Sequence, residues 1–289
     1  MTNTLIPEIS YYRTVNQVVK GVPTSDGAGV KMTRIIGSST VDMLDPFLLL
    51  DEFRSDRPDD YIGGFPDHPH RGFDTVTYML AGRMRHKDNF GHEGVITPGG
   101  IQWMRAGKGI IHSEMPEQED GLMWGFQLWI NLPGSQKMTD PEYQEFDHDE
   151  IPTENSNDDV TIHVIAGTTA KGTTGPVTNI PTEPLYLDIE IGQDAEIHQP
   201  VPTDSNAFIY VYTGTASIES TGHPSTSLQQ GMLGIMGPGD GIRVNGVAAN
   251  TRLLLLAAKP LNEPVAWAGP FVMNTREELI QAFRDFNIR

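Results

Sequence analysis

The densest chemical signal in the chain is His68-Pro69-His70, followed further along by His112-Ser113-Glu114. Imidazole nitrogens and carboxylate oxygens are donors that a divalent first-row metal accepts. On a strand, residues i and i+2 share a face, so each of these pairs can direct two donors to one side. Two such pairs on neighbouring strands would present three imidazoles and one carboxylate to a common centre, with coordination positions left for water or substrate. A lone strand histidine is more often a hydrogen-bonded or surface residue. The ligand reading therefore rests on the two pairs together. His86, His92, His148, His163, His198 and His223 are scattered and read as surface or structural. Cysteine is absent from the sequence, which excludes disulfides, thiolate metal sites and cysteine nucleophiles.

Strands must hold these residues, and the chain supplies them. Leu122, Trp124, Phe126, Leu128 and Ile130 alternate with period 2, as do Leu185, Leu187, Ile189 and Ile191. Leu253 to Ala258 is apolar at consecutive positions, as in a strand covered on both faces. With 30 Gly and 21 Pro among 289 residues, turns punctuate these runs in the manner of a sandwich or barrel, so the expected class is all-β. One short C-terminal helix is also expected, because Thr275 and Glu278 form a capping box ahead of Leu279, Ala282, Phe283 and Phe286.

The length favours two domains. Pro133 to Glu150 lacks a repeating apolar face and reads as the connection, giving expected domains 1–143 and 144–289. The halves look like weak copies: Val76-Thr77-Tyr78-Met79-Leu80-Ala81-Gly82 matches Phe208-Ile209-Tyr210-Val211-Tyr212-Thr213-Gly214, and Ile96-Thr97-Pro98-Gly99-Gly100 matches Met236-Gly237-Pro238-Gly239-Asp240. The same order in both halves points to a duplicated barrel. The first match sets Pro200 and Pro202 opposite His68 and His70; the second sets Arg252 and Leu254 opposite His112 and Glu114. The second domain is thus expected to carry no metal site.

Twenty basic against 38 acidic residues leave a net charge of −18. Such a surface repels phosphate backbones and anionic membranes, so no direct nucleic-acid or membrane contact is expected. Residues 1–12 show no basic stretch followed by an apolar core, and no run approaches the ~20 apolar residues of a membrane helix. The expectation is a soluble cytoplasmic protein.

The stretch Phe65-Pro66-Asp67-His68-Pro69-His70-Arg71-Gly72-Phe73-Asp74-Thr75-Val76-Thr77-Tyr78 closely resembles the N-terminal motif of the pirin family, the bicupins of the cupin superfamily. So do Gln102-Trp103-Met104, Ala106 to Glu114, and Gly269-Pro270-Phe271-Val272-Met273-Asn274-Thr275. The resemblance runs over nearly the whole chain. It implies two tandem cupin barrels, each a double-stranded β-helix or jelly roll. It also implies one divalent metal ion in the first, iron(II) foremost among first-row ions, on the positions of His68, His70, His112 and Glu114. Pirins usually carry Glu at position 74, and many cupins use that carboxylate as the fourth ligand. Asp74 stands there in this chain, so Asp74 and Glu114 both remain candidates, Glu114 being the expected one.

The resemblance further implies a quercetin 2,3-dioxygenase activity, which opens the heterocycle of a flavonol with dioxygen and releases carbon monoxide. Glu114 would then be the catalytic base, and the partners a small aromatic or enol substrate and dioxygen. The alternative it offers is a regulatory protein, a transcriptional cofactor or modulator of metabolic enzymes, with protein partners and the metal as a structural or redox element. Phe65, Phe73, Trp103, Met104 and Trp124 are candidates for the pocket wall.

Overall fold

Period-2 alternation between Gly and Pro turns produces strands throughout. The computed structural model describes residues 8–287 apart from position 158 and contains 24 strands and one α-helix. Two compact units form. The N-barrel comprises Val22–His148 with the chain from Leu261 onward, and the C-barrel comprises the chain up to Gly21 with Asp149–Pro260.

The first strand, β1 (Val15–Lys20), belongs to the C-barrel. The N-barrel follows with β2 (Val22–Asp26), β3 (Val30–Ile36), β4 (Phe47–Ser55), β5 (Phe65–His70), β6 (Phe73–Ala81) and β7 (Met84–Asp88). It continues with β8 (Glu93–Ile96), β9 (Ile101–Arg105), β10 (Ile110–Pro116), β11 (Met123–Asn131) and β12 (Glu142–Phe146). The C-barrel holds β13 (Thr153–Asn157), β14 (Val160–Ala166), β15 (Leu185–Ile191), β16 (Glu196–Pro200) and β17 (Asn206–Thr213). Its remaining strands are β18 (Thr215–Ser220), β19 (His223–Gln229), β20 (Met232–Met236), β21 (Gly241–Gly246) and β22 (Thr251–Ala258). The chain ends in the N-barrel with β23 (Ala266–Ala268), β24 (Phe271–Met273) and α1 (Arg276–Asp285).

Each barrel pairs a seven-stranded antiparallel sheet with a four-stranded one. In the N-barrel the orders are β12-β9-β6-β11-β4-β3-β2 and β5-β10-β7-β8; in the C-barrel they are β1-β20-β17-β22-β15-β14-β13 and β16-β21-β18-β19. The orders correspond strand for strand, and the repeated heptapeptides occupy β6 and β17 with the turns that follow. Those turns need Gly82 and Gly214 at φ of 80° and 76°, a region that L side chains avoid.

This division differs from a contiguous cut near residue 143 at both ends. Strand β1 hydrogen-bonds along β20, which would otherwise present an open edge. At the other end, Phe271 bridges to Arg71, and the Arg71 guanidinium bonds Asp285 of α1 at 2.8 Å. The helix begins on the expected capping box: Thr275 accepts from the Glu278 N–H at 3.2 Å while the Glu278 carboxylate accepts from the Thr275 N–H at 3.0 Å. Phe283 and Phe286 pack on Phe271 at ring distances of 5.0 and 5.1 Å.

The two interiors differ in chemistry. The C-barrel is filled by one apolar cluster that includes Leu185, Leu187, Ile189, Ile191, Leu253 and Leu255. The N-barrel interior is broken into smaller apolar patches, around Phe53 and Met79, around Phe73, and around Met104. Among the described residues no helix is long and apolar enough to cross a membrane.

Candidate metal centre

Strand β5 carries Pro66 and Pro69, which cannot donate to a ladder, and it accordingly lies at the edge of its sheet against β10. That pairing sets His112 opposite His68 and Ile110 opposite His70. The three imidazoles converge: ring centres lie 4.4 Å apart for His68 and His112, 4.7 Å for His68 and His70, and 5.0 Å for His70 and His112. One donor nitrogen from each comes within 4.8 Å of the others.

The hydrogen bonding of these rings fits a cation. His68 Nδ1 lies 2.8 Å from the Pro66 carbonyl, which can only accept, so Nδ1 carries the proton and Nε2 is left with its lone pair. Nδ1 of His70 and both ring nitrogens of His112 are buried without a hydrogen-bond partner among the described residues. An unsatisfied buried polar group costs about 1–3 kcal/mol, and a metal ion would take up one lone pair from each ring. Burial, then the neighbouring His68 and His112, holds the His70 pKa well below its ordinary value; burial, then His68 and His86, does the same to His112. Both rings are therefore in the neutral form that ligation requires.

Glu114 stands on the same strand as His112 but outside this tight group. A register irregularity in the β5 ladder places Glu114 opposite Phe65, while the regular β7 ladder sets it opposite His86. Its Oε1 lies 2.7 Å from the Thr77 hydroxyl, which is also 2.8 Å from Gln127 Oε1. Thr77 has one proton to donate and cannot serve both oxygens. Either the Gln127 amide is turned so that its nitrogen donates to Thr77, or Glu114 is itself the donor.

Asp74 occupies the other face of β6 from Phe73 and Thr77. Its carboxylate accepts from Trp103 Nε1 at 2.8 Å and from Arg105 Nε at 3.4 Å, with no hydrogen bond to a histidine among the described residues. Burial raises its pKa to about 6, against the opposing pull of Arg105 and Trp103. Above its ordinary value, a folded-state pKa gives stability that is present below the unfolded pKa and lost as pH rises through the folded one. Asp74 therefore disfavours the folded state above pH 6, by roughly 3 kcal/mol at most, and ceases to do so below pH 4. The melting temperature of the wild type relative to Asp74→Asn should rise as pH falls from 7 to 4, and the variant should bind metal with unchanged stoichiometry. Loss of metal on this substitution would make Asp74 a ligand.

His68 and His70 open onto a cavity of about 530 Å³, with the buried His112 ring packed against both. Phe65, Met32, Leu49, Trp129 and Trp267 supply its apolar wall; Arg34, Asp51, Gln127 and Glu114 supply polar groups. Of the aromatic residues expected there, Phe65 lines the cavity, and Phe73 lies behind it, packed on His70 and Trp129. Trp103 points to Asp74, Met104 joins a patch with Ala106 and Ile110, and Trp124 bonds Glu52. Trp129, between Leu128 and Ile130 on β11, lies on the face opposite the regular apolar set of that strand.

His86, read from sequence as surface or structural, is buried. Its Nε2 lies 2.6 Å from Glu145 and its ring stacks on Tyr143, whose hydroxyl donates to Asp88 at 3.0 Å. Burial, then the Asp88 charge, raises the Tyr143 pKa, so it acts as a donor.

The strand correspondence also revises the equivalences drawn from the repeat. In the C-barrel β16 pairs with β21, with Arg243 opposite His198 and Gly241 opposite Pro200, as His112 is opposite His68 and Ile110 opposite His70. The counterparts of His68, His70, His112 and Glu114 are thus His198, Pro200, Arg243 and Asn245, rather than Pro200, Pro202, Arg252 and Leu254. Arg252 and Leu254 belong to β22, which holds in the C-barrel sheet the place that β11 holds in the N-barrel sheet, because the turns between the strands differ in length between the halves. One imidazole stands where the N-barrel has three.

The family model described as Pirin matches residues 29–130, and that described as Pirin C-terminal cupin domain matches 186–289. A pirin-like protein of Caulobacter vibrioides is 55% identical over 95% of this chain and 97% of its own length. A protein of Pseudomonas aeruginosa named "putative quercetin 2,3-dioxygenase" is 45% identical over 95% of this chain and 96% of its own. The crystal structure described as quercetin 2,3-dioxygenase from Acinetobacter baumannii shares 31% identity and a TM-score of 0.87 over 96% of this chain and 97% of that one. The two cupin barrels, the histidine cluster of the first and these matches across both halves agree: the chain belongs to the pirin family.

Proposed function

We propose that this protein is a metal-dependent dioxygenase that opens the heterocycle of a flavonol such as quercetin. In this reading His68, His70, His112 and Glu114 hold one divalent ion, iron(II) foremost. The observation that carries it is the three-imidazole group with orphaned nitrogens, two of whose rings line an aromatic-walled cavity. The likeness to proteins named as quercetin dioxygenases supports the choice of substrate.

When bound, the metal supplies Lewis acidity and a place where dioxygen and the electron-rich substrate meet. The chain supplies the rest. Glu114 accepts the proton of the flavonol 3-hydroxyl, and the Thr77 hydroxyl at 2.7 Å fixes the orientation of the carboxylate. Trp129, Phe65 and Trp267 flank a flat ring system and exclude water from it.

The test joins elemental analysis of protein purified without chelator to oxygen uptake with quercetin. One equivalent of metal per chain and quercetin-dependent oxygen uptake abolished by chelation are expected. A fully loaded protein that takes up no oxygen with quercetin, whichever first-row ion it carries, would reject the enzymatic reading in favour of a regulatory one.

A further inference from the structure

Six adjacent strands of the N-barrel carry a polar residue at the same level. Glu145 on β12 lies opposite Gln102 on β9, which lies opposite Thr77 on β6. Thr77 is opposite Gln127 on β11, Gln127 opposite Asp51 on β4, and Asp51 opposite Arg34 on β3. Directly opposed residues of neighbouring antiparallel strands point to the same face, so these six side chains form one row. Neighbours in the row bond one another: Gln102 donates to Glu145, Thr77 is 2.8 Å from Gln127, and Arg34 donates to both oxygens of Asp51 at 3.0 and 2.8 Å.

The fold does not require this polarity. The corresponding row of the C-barrel reads Val18, Gly234, Ile209, Leu255, Leu187 and Val164, with no polar side chain. Both barrels close with the same strand order, so closure of the sheet does not call for polar side chains at this level. The N-barrel therefore carries the row for a purpose other than folding.

Its position indicates that purpose. Arg34, Asp51 and Gln127 line the same cavity as His68, His70 and Glu114. Asp51, nearly fully buried, holds the guanidinium through Nε and Nη2 and leaves Nη1 without a partner among the described residues. One end of the Gln127 amide is engaged by Thr77, and the other is free among the described residues. The Arg34 charge is balanced by Asp51, and exposed Asp26 lies 3.6 Å from Nη2, so a ligand carboxylate meets no net positive charge. A neutral phenol, in contrast, meets a preorganised donor in Arg34 Nη1 and a second polar group in the free end of the Gln127 amide.

We infer that Arg34 and Gln127 are specificity-determining residues that read the hydroxylated edge of a neutral aromatic ligand whose other end lies at the histidines. The inference rests on the dioxygenase reading for the placement of that ligand.

The test uses the full-length, metal-loaded protein and two probes. Quercetin carries hydroxyls around both ring systems, and 3-hydroxyflavone keeps only the 3-hydroxyl and the 4-keto group. Dissociation constants come from quenching of tryptophan fluorescence, since Trp129 and Trp267 line the cavity, and oxygen uptake is recorded in parallel. The wild type should bind quercetin at least about 10-fold more tightly, the discrimination that one or two oriented hydrogen bonds give. In the paired variant Arg34→Gln/Asp51→Asn, which leaves no unpaired buried charge, the ratio should fall to within about twofold through weaker quercetin binding, with one metal per chain retained. Arg34→Lys keeps the charge opposite Asp51 but loses the forked donors, and should lower the ratio likewise if the paired variant does not fold. Equal affinities in the wild type, or a ratio that survives the substitutions, would overturn the inference. Absence of oxygen uptake with both flavonols would count against the dioxygenase reading alone, because the binding ratio is read independently of turnover.

Discussion

His112→Ala should abolish stoichiometric metal binding and, with it, all metal-dependent thermal stabilisation. A ligand that binds only the folded state at 1,000 times its dissociation constant stabilises by about 4 kcal/mol. Loss of a group that merely supports a ligand weakens metal binding by about 10–100-fold, and loss of a direct ligand by more. His112 is the strongest choice because both of its nitrogens are buried and unpartnered. That same property separates ligand loss from misfolding. Deleting the ring leaves a cavity but also removes unsatisfied polar atoms, so metal-free variant and metal-free wild type should differ in stability by no more than about 2 kcal/mol. Calorimetry with and without added metal measures both quantities. Retention of one equivalent of tightly bound metal by His112→Ala would remove the three-histidine centre from consideration.

Glu114→Gln is expected to fail differently. It keeps an oxygen that can coordinate but loses the charge and the capacity to accept a proton. Metal affinity should drop by ~10–100-fold while flavonol turnover falls by at least ~100-fold, the scale on which general-base groups act. Raising the pH should restore part of this turnover, because a flavonol already ionised in solution has no proton to give. Thr77→Val tests the orientation of the carboxylate, since it removes the hydroxyl that lies 2.7 Å from Glu114 and also contacts Gln127, and keeps the shape of the side chain. It should lower turnover by ~10-fold or more with little loss of metal. Steady-state kinetics across pH on metal-saturated protein distinguishes the two. Full turnover by Glu114→Gln would assign the proton acceptor elsewhere.

Local sequence alone determined a good part of this protein. Period-2 alternation in Leu185 to Ile191 and the Gly turns at 82 and 214 specify strands and their ends. Thr275 and Glu278 specify the start of the helix, and His68, His70 and His112 stand out by their spacing alone. These are short-range properties: side chains two apart share a face of a strand, and a cap needs only the residues within one helical turn. Register between strands distant in sequence is not such a property. The ladder of β16 on β21 decided that Arg243 and Asn245 are the counterparts of His112 and Glu114, where unequal turns had misaligned the repeat. The closed sheet decided that Asp74 faces Trp103 while Thr77 faces Glu114, and that Trp129 and Gln127 on β11, rather than the regular apolar set beside them, line the cavity. In a barrel strand buried on both faces, hydrophobic alternation cannot say which face is inside, because both are withdrawn from water. Only the hydrogen-bonded ladder aligns Arg34, Asp51, Gln127, Thr77, Gln102 and Glu145 into one row, since each lies on a different strand and no local pattern connects them.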